Sequence, residues 1–185
     1  LRPETVNVMG NGMVIDVAHL YKEVENLRKK GVEISPKNLK ISDRATICMP
    51  YHVLLDCLEE DRLGDAKFGS TRRGIAPVYA DKYMKKTLRM GDILHFDCIE
   101  KKLASIVEWK NLTVNGGYGS EKVKTEDMME WLRTYALPFK DYVCDVTEYL
   151  SSAIDDGKSV MFEAQLGALR DIDFGIYPYT SSSNT

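Results

Sequence analysis

Histidine is scarce in this 185-residue chain: His19, His52 and His95 stand far apart, and no zinc-ligand spacing joins them to the cysteines. Cys48, Cys57, Cys98 and Cys144 are widely separated and form no C-x-x-C pair, which excludes a small disulfide-stapled scaffold. They are expected to be buried free thiols. There is no excess of positive charge either. Lys and Arg number 25 against 28 Asp and Glu, a formal net charge of −3. That balance excludes a chain held to nucleic acid mainly by phosphate neutralisation, so no nucleic-acid partner is expected. No apolar run approaches the ~20 residues that span a bilayer. The opening Leu1-Arg2-Pro3-Glu4 does not read as a signal peptide. The expectation is a soluble, cytoplasmic protein without a membrane partner, in which the Asn111-Leu112-Thr113 sequon stays unmodified.

What is present is a globular composition, 44% apolar and 29% charged, in a 21.0 kDa chain of one-domain size. Residues 5–9 read as a short strand ending in the turn Gly10-Asn11-Gly12. A helix capped by Asp16 follows, with Val17, Leu20, Val24 and Leu27 on one face and Gly31 beyond its end. Residues 38–41 alternate like a strand edge. Pro50 opens a second helix that closes near Gly64. Residues 65–92 crowd glycine, proline, basic residues and hydroxyls together without periodicity and read as a loop. Helical patterns follow at 98–110, 125–137 and 138–155, then an apolar strand at 159–162 and a loop-rich tail.

The fold class is therefore α/β: one partial domain over 1–185 that reads as an excerpt from a larger mixed-sheet protein with a helix-rich middle section. It divides into a strand-helix start at 1–64, a basic loop at 65–92, a helical section at 93–157, and a strand and loop at 158–185.

Two segments carry candidate chemistry. In Gly69-Ser70-Thr71-Arg72-Arg73-Gly74, hydroxyls beside glycine backbone can donate several hydrogen bonds to one phosphate, and guanidinium groups add charge-assisted ones. A solvated basic turn before a helix is the plainer account of the same residues. The second segment runs from Phe162-Glu163 through Gln165 to Asp171-Ile172-Asp173, where the paired carboxylates suit a metal or, more simply, the cap of a turn. Gly157-Lys158-Ser159 imitates the end of a P-loop. Ser152 stands where the earlier glycine is required, and the order is helix then strand, so it reads as a helix C-cap.

Taken together, Gly10-Asn11-Gly12, the stretch Gly69 to Asp92, Phe162-Glu163, residues 171–179 and Ser182-Ser183-Asn184-Thr185 resemble the adenylosuccinate synthetase family in order and spacing along essentially the whole chain. The resemblance implies a ligase that joins IMP to L-aspartate using GTP, with Mg2+, as a homodimer. GTP phosphorylates the IMP 6-oxygen, and the aspartate amine then displaces the phosphate. The family's phosphate loop, with its proton-accepting aspartate, and a histidine that assists phosphoryl transfer precede the part that this sequence matches. The aspartate and guanine segments follow it. The resemblance thus implies a central portion without catalytic residues or metal ligands, inactive when isolated.

Carried over by position, Thr71 matches a threonine that contacts the IMP phosphate, with Arg73 in the same loop. Lys85 falls where an arginine usually reaches across the dimer, and Ser181 where a threonine binds IMP. Ungapped alignment puts Leu166 at the family's IMP-contacting glutamine, with Gln165 one residue earlier; a one-residue slip, which Gly167 permits, would let Gln165 take the contact. Ala76, Arg170 and Ile176 replace a usual glycine, leucine and threonine. The alternative is a divergent non-catalytic nucleotide-binding or dimerisation domain of the same fold; a helical interaction module with a basic loop is the remaining one.

Overall fold

A computed structural model describes residues 4–67 and 69–184; of the motifs above, Leu1-Arg2-Pro3 and Thr185 lie outside the described residues. Asp16 opens the first helix, α1 (Val17–Lys29), by accepting hydrogen bonds from the backbone N–H groups of Ala18 and His19, each at 3.0 Å. This helix is the crossover between two parallel strands, β1 (Asn7–Met9) and β3 (Leu39–Ser42), whose register pairs Asn7 with Leu39 and Met9 with Ile41. A strand late in the chain, β5 (Val143–Cys144), pairs in parallel on the other side of β3. A second parallel pair is formed by β2 (Val14–Ile15) and β4 (Thr46–Ile47). The α/β class therefore holds, with the strands in two small parallel sheets.

The remaining helices are α2 (Pro50–Leu63), α3 (Ile75–Met84), α4 (Ile99–Val114), α5 (Thr125–Tyr135) and α6 (Val146–Asp155). Short 3-10 helices cover Gly64–Ala66, Met90–Cys98, Leu137–Tyr142 and Ala168–Arg170. Ile41, Ile47, Leu88, Met90, Ile93, Leu103 and Leu132 are fully buried and join sheet to helices.

Four expectations are corrected. Residues 65–92 are not all loop, because α3 lies inside them; its buried face is Val78 and Asp81, and a buried carboxylate hides an amphipathic period. The helix expected over 138–155 is split, because Val143 and Cys144 pair with Ile41 and Ser42 and the chain restarts helically only after Asp145 caps α6. No strand forms at 159–162 among the described residues; Met161 and Phe162 point outward without partners for burial. Of the cysteines only Cys48 is buried, and burial pushes its thiol up to about 12, whereas Cys98 is exposed.

The deepest polar feature joins α2, α3 and α4. Asp81 is 2% exposed, Lys110 4% and His52 0%. The Lys110 ammonium donates to Asp81 Oδ1 at 2.6 Å and lies 2.5 Å from Oδ2, while His52 Nε2 lies 2.9 Å from Oδ2. The Met49 backbone N–H donates to His52 Nδ1 at 2.9 Å, so Nδ1 is an acceptor and Nε2 carries the proton given to Asp81. Burial lowers the His52 pKa against the opposing pull of Asp81, and the ring is neutral at physiological pH. Immediately before α3, Gly74 (φ +75°) presses on α2 so closely that a Cβ there would lie 2.7 Å from the His52 carbonyl carbon.

Two outcomes follow for the full-length protein. Because His52 titrates below its unfolded value of about 6.5, the unfolded chain binds the extra proton first as pH falls, so stability is complete above that pH and declines below it. Urea midpoints at pH 7.5 and 5.5 should differ, and a His52→Gln variant should show a smaller difference. Gly74→Ala should cost about 1–3 kcal/mol of unfolding free energy, from a disfavoured φ and a clash with helix backbone.

Candidate functional site

The loop at 69–74 is built on a floor of carboxylates supplied by α2. Asp56 and Glu60, one helical turn apart, are 7% and 4% exposed. Asp56 Oδ1 accepts from the Ser70 hydroxyl at 2.6 Å and Oδ2 from the Gly74 backbone N–H at 2.8 Å. Glu60 Oε1 accepts from the Ser70 backbone N–H at 3.0 Å. The Arg72 N–H donates to Ser70 Oγ at 3.1 Å, and its guanidinium pairs with Asp61 at 2.6 Å, which holds Arg72 at a φ of +54°. Residues 70, 72 and 74 are thereby satisfied from below. Thr71 and Arg73 are exposed, and among the described residues neither donates a hydrogen bond. The Thr71 hydroxyl and the Arg73 guanidinium thus belong to exposed residues just ahead of α3, where the helix dipole favours an anion.

Lys85 lies at the other end of α3. It takes the left-handed conformation (φ +61°) that closes the helix and is exposed. With Lys86, Lys101 and Lys102 it borders an open groove of about 460 Å³. The body of α3 is tied to the Gly10–Gly12 turn: the Gly12 carbonyl accepts from Tyr79 Oη at 3.2 Å and Lys82 Nζ at 3.3 Å. That turn follows β1, and Asn11 accepts from the Ser42 hydroxyl at 2.6 Å at the end of β3 and donates to Thr147 Oγ1 at 3.1 Å beyond β5. These loops share the carboxyl edge of the parallel sheet, where α/β folds place ligand loops.

Gln165 and Ser181 form a second group in the tail. Gln165 Nε2 donates to the Ser183 carbonyl at 3.3 Å, and the Ser181 and Ser183 hydroxyls lie 3.3 Å apart. Leu166 is 81% exposed. Asp171 accepts from the backbone N–H groups of Asp173 and Phe174 at 2.8 and 3.0 Å, so it caps a turn. Asp173 accepts from Asn184 Nδ2 at 2.7 Å. No three His, Cys, Asp or Glu side chains gather as a metal site among the described residues. The structure thus brings Thr71 and Arg73 together and Gln165 and Ser181 together; among the described residues, no hydrogen bond or ion pair joins the two groups or ties either to Lys85. Sequence reasoning missed Asp56, Glu60 and Asp61. Their signal was the i, i+4 carboxylate pair ahead of a glycine-flanked hydroxyl loop.

Comparison with known proteins gives one answer throughout. The adenylosuccinate synthetase family model matches residues 1–185. An adenylosuccinate synthetase of Listeria welshimeri is 43% identical over 181 residues, 98% of this chain and 42% of that protein. One from Caldanaerobacter subterraneus is 41% identical over 184 residues, 100% of this chain and 43% of that protein. The solved structure of fully ligated adenylosuccinate synthetase from Plasmodium falciparum superposes with a TM-score of 0.87 at 28% identity, covering 100% of this chain and 42% of that one. The chain spans about two fifths of the length of these relatives. It belongs to the adenylosuccinate synthetase family.

Proposed function

We propose that this chain is the substrate-phosphate-positioning portion of an adenylosuccinate synthetase, in which the 69–74 loop grips the 5′-phosphate of IMP. The observation that carries the reading is the alternation in that loop: Ser70, Arg72 and Gly74 spend donors on α2 carboxylates or on Ser70 Oγ, while exposed Thr71 and Arg73 donate no hydrogen bond among the described residues. Two N–H groups, a hydroxyl and a guanidinium match the oxygens of one phosphate dianion, and charge-assisted bonds of that kind are the strong ones. Lys85 supplies the second contact, across a homodimer, to the partner's IMP. Gln165 and Ser181 hold the purine side.

The whole protein then condenses IMP with L-aspartate at the expense of GTP in purine nucleotide synthesis, in the cytoplasm. GTP phosphorylates the IMP 6-oxygen, and the aspartate amine displaces the phosphate. In that scheme the residues described here orient IMP and contribute through positioning. Magnesium belongs to the GTP chemistry of the whole protein. No described helix is long and apolar enough to cross a membrane.

Thr71→Ala in the full-length protein should weaken IMP about tenfold to a hundredfold, from a lost hydrogen bond to a charged group of roughly 1.5–3 kcal/mol. Lys85→Glu should raise the IMP KM more than the GTP KM, and equal effects on both would count against the trans contact. Calorimetric titration of IMP tests the tail: Gln165→Ala should cost roughly 1–3 kcal/mol, and Leu166→Gln little. A silent Gln165→Ala removes Gln165 from the site.

A further inference from the structure

We infer that Asp56 is a positioning residue for the phosphate contact, acting through Ser70 and Gly74 without touching the ligand. The inference rests on the reading of 69–74 as a phosphate loop and adds to it the group that sets the loop's shape. The puzzle it answers is electrostatic. Two carboxylates, Asp56 and Glu60, lie buried directly beneath a loop meant for a dianion. Negative charge there disfavours phosphate on Coulomb grounds, and buried charge is costly without compensation. No lysine or arginine is paired with either carboxylate among the described residues. Their charge is met by loop donors instead.

Those donors are the ones that a phosphate would otherwise compete for. The Asp56 carboxylate spans the loop, with Oδ1 on the Ser70 hydroxyl and Oδ2 on the Gly74 N–H, so one rigid planar group fixes both ends of a five-residue turn. With 70 and 74 pinned and the Arg72 N–H bonded to Ser70 Oγ, the path between them is constrained, and Thr71 and Arg73 are left exposed. The Gly74 contact also places the first residues of α3 against α2, with no room even for a Cβ between them. Asp56 therefore fixes both the direction of the loop's free donors and their distance from the helix start. Asparagine keeps the shape and loses the charge: its oxygen can accept from the Gly74 N–H, and its NH₂ can donate to Ser70 Oγ only with that hydroxyl turned to accept, so two charge-assisted bonds become two neutral ones, one of them reversed.

The test uses the full-length protein and compares IMP with inosine, which lacks the phosphate. Asp56→Asn should weaken IMP about tenfold, the loss of one charge-assisted contact, and leave inosine unchanged. In a Thr71→Ala background the same change should cost much less, since the donor it positions is gone. Equal weakening of IMP and inosine, full additivity with Thr71→Ala, or unchanged IMP binding each overturn the proposal. Should Asp56→Asn fail to fold, Ser70→Ala carries the test: it removes the hydroxyl on Oδ1 and leaves Gly74 in place. It should weaken IMP several-fold and spare inosine; no effect on IMP overturns the proposal. If Thr71→Ala itself leaves IMP unaffected, the phosphate-loop reading fails, whereas a Thr71 effect with a silent Asp56→Asn removes only the positioning role.

Discussion

The buried ion pair of Asp81 with Lys110, completed by His52, is the interaction on which the candidate site depends. Helix α3 places only Val78 and Asp81 fully in the interior, too little apolar surface to fix a ten-residue helix by burial alone. Asp81 is anchored instead to α2 through His52 and to α4 through Lys110. Such a pair is a weak source of net stability, because desolvating two ions offsets most of their attraction. What it does supply is registry. An apolar contact lets a helix slide or rotate by a few degrees, but a carboxylate that accepts from two directions does not. The Lys110 ammonium also lies 4.7 Å from the Trp109 ring centroid, which adds a favourable face for the charge away from Asp81.

Registry matters because α3 separates the two proposed phosphate contacts. Thr71 and Arg73 precede its first residue and Lys85 follows its last, and ten residues at about 1.5 Å each make a spacer of about 15 Å. The loop and Lys85 are therefore set at opposite ends of one helix, and the proposed assignment of Lys85 to a second subunit rests on that separation. The ends of the spacer are set by backbone conformation: Gly74 and Lys85 both sit at positive φ, one where only glycine fits and one where a lysine accepts the strain.

Much of the fold was legible in the sequence where local rules decide. Asp16 as a cap, Pro50 at a helix start, and Gly64 and Gly157 at helix ends act through their own backbone and neighbours within four residues. The misreadings come from long-range pairing. Val143 and Cys144 are a strand only because β3 lies beside them, and α3 is a helix whose buried face is polar only because Lys110 and His52 wait for Asp81. The apolar residues at 159–162 show the converse: a strand-like sequence with no partner among the described residues forms no strand, and Met161 and Phe162 stay exposed. In the site, Thr71 and Arg73 were visible because their chemistry is outward. Asp56 and Glu60 were not, because their role depends on burial.

The two groups of site residues are held by different physics. The loop at 69–74 is tied through Ser70 to buried carboxylates of α2. The tail is held by hydrogen bonds among its own atoms. Ser181 N–H donates to the Arg170 carbonyl at 2.8 Å, Ile172 N–H to the Ser183 carbonyl at 3.2 Å, and the Arg170 guanidinium to the Tyr179 carbonyl at 2.7 Å. Its apolar side chains, Leu169, Phe174 and Tyr177 among them, contribute little burial. Bonds of this kind are each worth only about 0.5–1.5 kcal/mol net and compete with water. Gln165 and Ser181 are accordingly placed by a self-bonded scaffold with little core beneath it, and the 69–74 loop by a scaffold whose buried carboxylates belong to a helix packed on the core.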